Sequence, residues 1–143
     1  MGETIDFTVG QTSSLRRVVT AEAIEAFAAV STDNNPAHLD DAYAATTRFG
    51  KRIAHGMLAA SYVSAMLGTQ FPGPGTIYMG QTLKFCKPVY IGDTLDVLVT
   101  VTEFRADKKI LTMDTTVTNQ RGEKVVTGEC VCLVSDLLAT LKH

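Results

Sequence analysis

Ile53-Ala54-His55-Gly56-Met57-Leu58-Ala59-Ala60-Ser61-Tyr62-Val63-Ser64-Ala65-Met66-Leu67-Gly68 opens a run that continues to Leu83 without an Asp, Glu, Lys or Arg. Charged residues make up 20% of the 143-residue chain, so a run this long without one belongs where a charge would be costly to desolvate. From Gly56 to Leu67 the apolar and small residues fall on every side of a 3.6-residue wheel. That distribution predicts a central helix surrounded by protein, with no wet face. The segment is too short to cross a bilayer, and Gly68 followed by Pro72-Gly73-Pro74-Gly75 ends it. Gly56 leaves the amino terminus of this helix open to close approach, and a helix start is where an anion or a developing oxyanion is stabilised.

Moving toward the amino terminus, Thr20 reads as an N-cap for a helix over Ala21 to Val30, docked through Ile24, Phe27 and Ala28. Residues 5–19 supply a first strand or extended arm with a weak pattern. Ser31-Thr32-Asp33-Asn34-Asn35-Pro36 breaks the helix, because Pro36 disfavours helix at Asn35 and Asn and Asp favour turns. Asp40 or Asp41 then caps a short helix from Ala42 to about Thr47. Asp33 and His38 are thereby placed on an irregular connection between helices.

Beyond the central helix the pattern changes to strands. Tyr78 to Lys87 is the first, with Pro88 and Gly92-Asp93 turning out of it. Leu95, Val97, Val99 and Val101 alternate in the second, and Leu111, Met113, Thr115 and Val117 in the third. Asn119-Gln120-Arg121-Gly122 makes a hairpin turn into a fourth, Val125 to Val134. Short connections imply an antiparallel sheet, and one apolar helix beside a curved meander implies an α+β fold in which the sheet wraps the helix. Residues 1–143 read as one domain.

Composition narrows the function. Apolar content is 45% and net charge −2, with no run of Lys or Arg, so nucleic acid is not an expected partner. No membrane association is expected either: Met1 to Phe7 lacks the basic and apolar regions of a secretory signal, and Asp6 stands where a myristoylation motif needs Ser or Thr. Cys86, Cys130 and Cys132 form no CxxC motif, which fits a reducing, cytoplasmic setting; Cys130 and Cys132, on one face of a strand, read as small core fillers. Three cysteines and three histidines without metal-ligand spacing predict no metal site.

Few residues are suited to moving protons in an apolar setting. Asp33 and His38, five apart across a Pro turn, are the best pair, able to hold and activate one water. Spacing alone fits equally an Asx-type cap at Asp33 with an exposed His38. His55 precedes the central helix, where its ring caps or orients backbone. Gly56 is either an oxyanion donor through its amide or a packing glycine. Ser64, about 80° round the helix from Gly56, either faces the same cavity or bonds back to a carbonyl four residues earlier.

Together, Ser31-Thr32-Asp33-Asn34-Asn35-Pro36-Ala37-His38-Leu39-Asp40, the Ile53 to Leu58 segment and Tyr78-Met79-Gly80-Gln81-Thr82-Leu83-Lys84-Phe85-Cys86-Lys87-Pro88-Val89 resemble the MaoC-like, (R)-specific enoyl-CoA hydratase family over roughly Thr20 to Val134. The resemblance implies a hot-dog fold, in which a long central helix is wrapped by an antiparallel sheet, and a homodimer or higher homo-oligomer. It implies reversible addition of water to a trans-2-enoyl-CoA, giving an (R)-3-hydroxyacyl-CoA, with no cofactor other than the coenzyme A carried by the substrate. Asp33, His38 and Gly56 are then the catalytic residues, with Ser64, Asn35, His55, Tyr78 and Gln81 at the substrate. A thioesterase on the same fold, or an acyl-CoA-binding module without turnover, are the competing readings. A thioesterase does not need the histidine, and a binding module needs neither titratable group.

Overall fold

The computed structural model describes residues 6–137, so the reading of Met1 to Phe7 falls mostly outside it. In chain order the elements are β1 (Thr12–Val18), α1 (Ala21–Ser31), α2 (Pro36–Leu39), α3 (Asp41–Ala45), α4 (Gly56–Thr69), β2 (Ile77–Gln81), β3 (Lys84–Phe85), β4 (Thr94–Arg105), β5 (Ile110–Thr118) and β6 (Lys124–Leu133). The sheet order is β1-β4-β5-β6-β2, with β3 also paired to β6. Every pairing is antiparallel. β4, β5 and β6 make the expected meander, while β1 and β2 join its two sides from elsewhere in the chain.

The period-two alternation of the long strands sends Val97, Val99, Val101, Leu111, Met113, Val117, Cys130 and Cys132 into one core with Leu58, Ala59, Val63, Met66 and Leu67 of α4. The helix is therefore wrapped by the sheet, the hot-dog arrangement the family resemblance implied. Thr20 caps α1 through its side-chain oxygen, which accepts the amide of Ala23. Ile24 and Ala28 are the buried face of that helix.

Three elements differ from the sequence reading. His38 lies on a one-turn helix, α2, because Pro36 at its first position costs no hydrogen bond there and Asn35 caps it. The strand read from Tyr78 to Lys87 divides into β2 and β3 around Thr82–Leu83. At the break Thr82 exchanges bonds with Glu129, and its carbonyl passes over Gly128 so closely that a Cβ there would lie 1.9 Å from the oxygen. Finally, α4 is not enclosed on all sides. Met57, Ser64 and Gly68 are exposed along one stripe, at the spacing of a single helix face.

Replacing Gly128 with Ala is expected to push β6 and the Thr82 segment apart. The loss should reach the upper end of the roughly 1–3 kcal/mol typical of overpacking, read as a lower urea midpoint at unchanged slope.

Candidate active site

The segment joining α1 to α3 is built from side-chain caps. Thr32 closes α1 in a left-handed conformation, φ 65°, which is rare and strained for a β-branched residue, costing on the order of 1–2 kcal/mol. Asp33 follows it, its amide bonded to Ser31 Oγ and its Oδ1 accepting the amide of Asn35. Asn35 Oδ1 accepts the amide of Ala37, and Asp40 Oδ1 that of Tyr43. These bonds fix the turn without using the second carboxylate oxygen of Asp33.

A second segment, residues 52–55, lies along the first. Arg52 Nε donates to the carbonyl of His38 at 2.7 Å, and the amide of Ile53 donates to the carbonyl of Ala37 at 3.3 Å. His38 Nδ1 donates to the carbonyl of Ile53 at 2.7 Å, and His55 Nε2 to the carbonyl of Asp33 at 3.0 Å. Because a carbonyl only accepts, these contacts assign the ring hydrogens, leaving lone pairs on His38 Nε2 and His55 Nδ1. The two rings stack at 3.9 Å with 29° between their planes, and Phe27 packs against His55 at 4.9 Å. One donor atom from each of Asp33, His38 and His55 lies within 4.8 Å of the others.

Asp33, His38, His55 and Gly56 all line a cavity of about 630 Å³, whose walls include Phe27, Ile53, Phe85 and Val126. His38 is 9% exposed and His55 2%, whereas Asp33 stands exposed at the mouth. Gly56 is the first residue of α4, so its amide is among those without an acceptor inside the helix. The Phe85 ring lies against the α-carbon of Gly56, since a Cβ there would come within 2.7 Å of that ring. The arrangement places two proton acceptors and an orphan amide on one concave wall, as needed to activate a water beside a carbonyl that gains negative charge.

The remaining sequence candidates fall elsewhere. Ser64, Tyr78 and Gln81 line a second cavity of about 430 Å³ with Ala60, Met79 and Leu83; Phe27 and Met57 border both cavities. Ser64 therefore does not share a wall with Asp33 and His38. A back-bond of the kind considered for it is made by Ser61, whose Oγ donates to the Leu58 carbonyl three residues earlier at 2.6 Å. Gln81 is engaged within the protein: Nε2 donates to the Thr82 carbonyl and Thr115 Oγ1, and Oε1 accepts from the Tyr78 hydroxyl. Burial raises the Tyr78 pKa above its ordinary value, which keeps that hydroxyl a donor. Asn35 spends its side-chain oxygen on the α2 cap, and His55, though at the N-cap position of α4, makes no capping bond with its side chain.

Arg52, Phe27 and Phe85 complete the site and were not singled out for it from sequence. Phe27 had been read only as a docking residue, Phe85 only as part of the segment carrying the family resemblance, and nothing in the local pattern distinguishes Arg52. Asp33, His38 and His55 also make up the group among the described residues with donors close enough for a metal ion. Rings stacked 3.9 Å apart with 29° between their planes keep their in-plane lone pairs in separate planes, a poor match to convergent bonds of about 2.0–2.1 Å to a tetrahedral ion.

Residues 4–123 match the family described as MaoC like domain. The chain is 49% identical over 129 residues to an (R)-specific enoyl-CoA hydratase of Rhodospirillum rubrum, covering 90% of this chain and 89% of that protein. It is 50% identical over 123 residues to one from Aeromonas caviae, covering 86% and 92%. The solved (R)-hydratase from A. caviae involved in PHA biosynthesis superposes with a TM-score of 0.87 at 48% identity, covering 90% of this chain and 97% of that one.

The carbonyl contacts predict opposite tautomers for the stacked pair. Imidazole ¹⁵N spectra near neutral pH are expected to show the hydrogen of neutral His38 on Nδ1 and that of His55 on Nε2; the reverse assignment for either ring contradicts this geometry.

Proposed function

The chain belongs to the MaoC-like domain family, and from that membership we infer that it is an (R)-specific enoyl-CoA hydratase. It adds water reversibly to a trans-2-enoyl-CoA to give an (R)-3-hydroxyacyl-CoA. The observation that carries the chemical reading is the shared wall of Asp33, His38 and Gly56.

In the mechanism we propose, the free oxygen of Asp33 and Nε2 of His38 accept the two hydrogens of one water and aim its oxygen at C3. As that oxygen bonds to C3, the pair takes one proton and the thioester oxygen collects enolate charge. The Gly56 amide donates to that oxygen. It stabilises the transition state more than the ground state, which is the condition for a gain in rate. The pair then returns a proton to C2, so the elements of water are added and nothing is oxidised. The acid, the base and the oxyanion donor all come from the chain, so we assign no cofactor; coenzyme A enters as the substrate's carrier. We place the acyl tail past Phe27 and Met57 into the second cavity, where Tyr78 and Met79 form the wall.

We further propose a homodimer. β2 is an edge strand carrying Ile77, Tyr78 and Met79, the last 55% exposed, and Met57 of the open α4 stripe is 53% exposed. A short but exposed apolar edge of this kind offers unpaired backbone for pairing, and we place the second copy so that it also walls the mouth where Asp33 stands. A cytoplasmic place in fatty acid metabolism fits the acyl-CoA substrate and the three free thiols. Among the described residues no helix is long and apolar enough to cross a membrane.

Adding the protein to crotonyl-CoA is expected to remove the absorbance of the conjugated alkene. Asp33→Asn and His38→Ala should each lower kcat by roughly 10² to 10⁴ with the fold intact, and full activity in either refutes the assignment. Release of free thiol with the alkene preserved would identify a thioesterase instead. In sedimentation the wild type is expected near twice the 15.4 kDa chain mass and Met79→Asp near one; a monomeric wild type contradicts the dimer.

A further inference from the structure

Two segments meet at the site, and their bonds are unevenly shared. Three of the contacts from residues 52–55 hold the His38 end: Arg52 Nε on the His38 carbonyl, the Ile53 amide on Ala37, and His38 Nδ1 on Ile53. At the Asp33 end the only bond from a distant part of the chain, among the described residues, is His55 Nε2 on the Asp33 carbonyl. The other contacts of Asp33, to Ser31 and Asn35, are local and travel with the turn. The backbone just before it is held at the unfavourable φ of Thr32, a conformation that persists only when the surroundings enforce it.

His55 is built for that single bond. Its ring is 2% exposed and stacks on His38, so it carries the coordinates of one member of the pair to the backbone of the other. Nδ1 is buried with no partner. A buried polar atom left unsatisfied is a cost that packing alone gives no reason to keep, because an apolar ring would fill the same space without it.

We propose that His55 is a positioning residue for Asp33: its Nε2 hydrogen bond, aimed by the stack on His38, sets the carboxylate at the distance from His38 at which the two can bracket one water. This rests on the hydratase reading given above. The substrate is not touched by the bond, so its loss leaves binding nearly intact and degrades the chemical step. A displacement of about 1 Å in such a constellation costs on the order of 10²-fold in rate.

Two variants separate the bond from the packing. His55→Phe keeps a flat ring against His38 and removes both the donor and the orphan nitrogen. His55→Gln removes the ring but keeps a donor at the place of Nε2. With crotonyl-CoA, His55→Phe is expected to retain or gain thermal stability, keep KM within about threefold and lose roughly 100-fold in kcat. His55→Gln should recover at least about tenfold of that loss. A folded His55→Phe with wild-type kcat overturns the proposal, as does a folded His55→Gln no better than a folded His55→Phe; if His55→Phe does not fold, a folded His55→Gln must by itself hold kcat within about tenfold of wild type. Amide hydrogen exchange supplies a reading independent of turnover: His55→Phe should speed exchange at Asn35, whose amide is held by Asp33 Oδ1, and unchanged protection there overturns the proposal. A wild type that exchanges as expected but leaves crotonyl-CoA untouched would fault the hydratase reading and not the positioning bond.

Discussion

The burial of α4 inside a single curved sheet is the constraint from which the site follows. A helix with its apolar face covered by β4, β5 and β6 has its amino terminus delivered to one rim of the sheet, where residues 52–55 must arrive extended to enter it. An extended segment has backbone donors and acceptors to satisfy. The turn from Asp33 to His38 satisfies two of them, the Ile53 amide on the Ala37 carbonyl and the Ile53 carbonyl from His38 Nδ1. The chemistry-bearing turn thus lies beside the helix start because each needs the hydrogen bonds of the other. That adjacency places proton-accepting side chains within reach of the orphan amide of Gly56, a relation that neither segment specifies alone.

Much of this was legible in the sequence because it rests on local physics. The uncharged run, the Thr20 cap, the period-two alternation of Leu95 to Val101 and Leu111 to Val117, and the Asn119–Gly122 turn each carry a signal within a few residues. What was not legible depends on neighbours distant in sequence. The open stripe of α4 was misread because Met57, Ser64 and Gly68 are small or apolar, and such residues look alike whether a sheet or an empty face lies beyond them. The division of the strand at Thr82 is caused by a missing side chain at Gly128, 46 residues away. The one-turn helix at Pro36 is too short to show a period, and only its cap and its proline announce it.

The site separated along the same line. Asp33, His38 and Gly56 could be named as candidates because their residue types and spacing, with the family resemblance beside them, limit what they can do. Their neighbours could not. Gln81 looked available and is instead occupied by Thr82, Thr115 and Tyr78; Asn35, read as a substrate contact, has its side-chain oxygen committed to a cap. An amide side chain has both donor and acceptor capacity, so sequence does not say whether the protein has already used it. Arg52 reaches a carbonyl 14 positions earlier, and no periodicity marks such a contact.

The unequal burial of the pair bears on how it would work. His38 is enclosed and held at both its ring and its carbonyl, while Asp33, held through its backbone and by one carboxylate oxygen on the Asn35 amide, is exposed to solvent. In water an attraction between unit charges 4 Å apart is worth about 1 kcal/mol, against about 4 kcal/mol at an effective dielectric of 20. A carboxylate facing bulk solvent therefore exerts little pull on a proton near His38, and the same carboxylate under a lid exerts several times more. The exposed β2 edge and the bare stripe of α4 meet that mouth through Met57 and Phe27, which border both cavities. In the dimer proposed here, a second copy that covers the edge strand and reaches this mouth would also lower the dielectric around Asp33, so that assembly and proton transfer would be coupled through one surface. The positioned backbone of Asp33 then matters more than its solvent-facing side chain suggests, because it fixes where the carboxylate stands when the water around it is displaced.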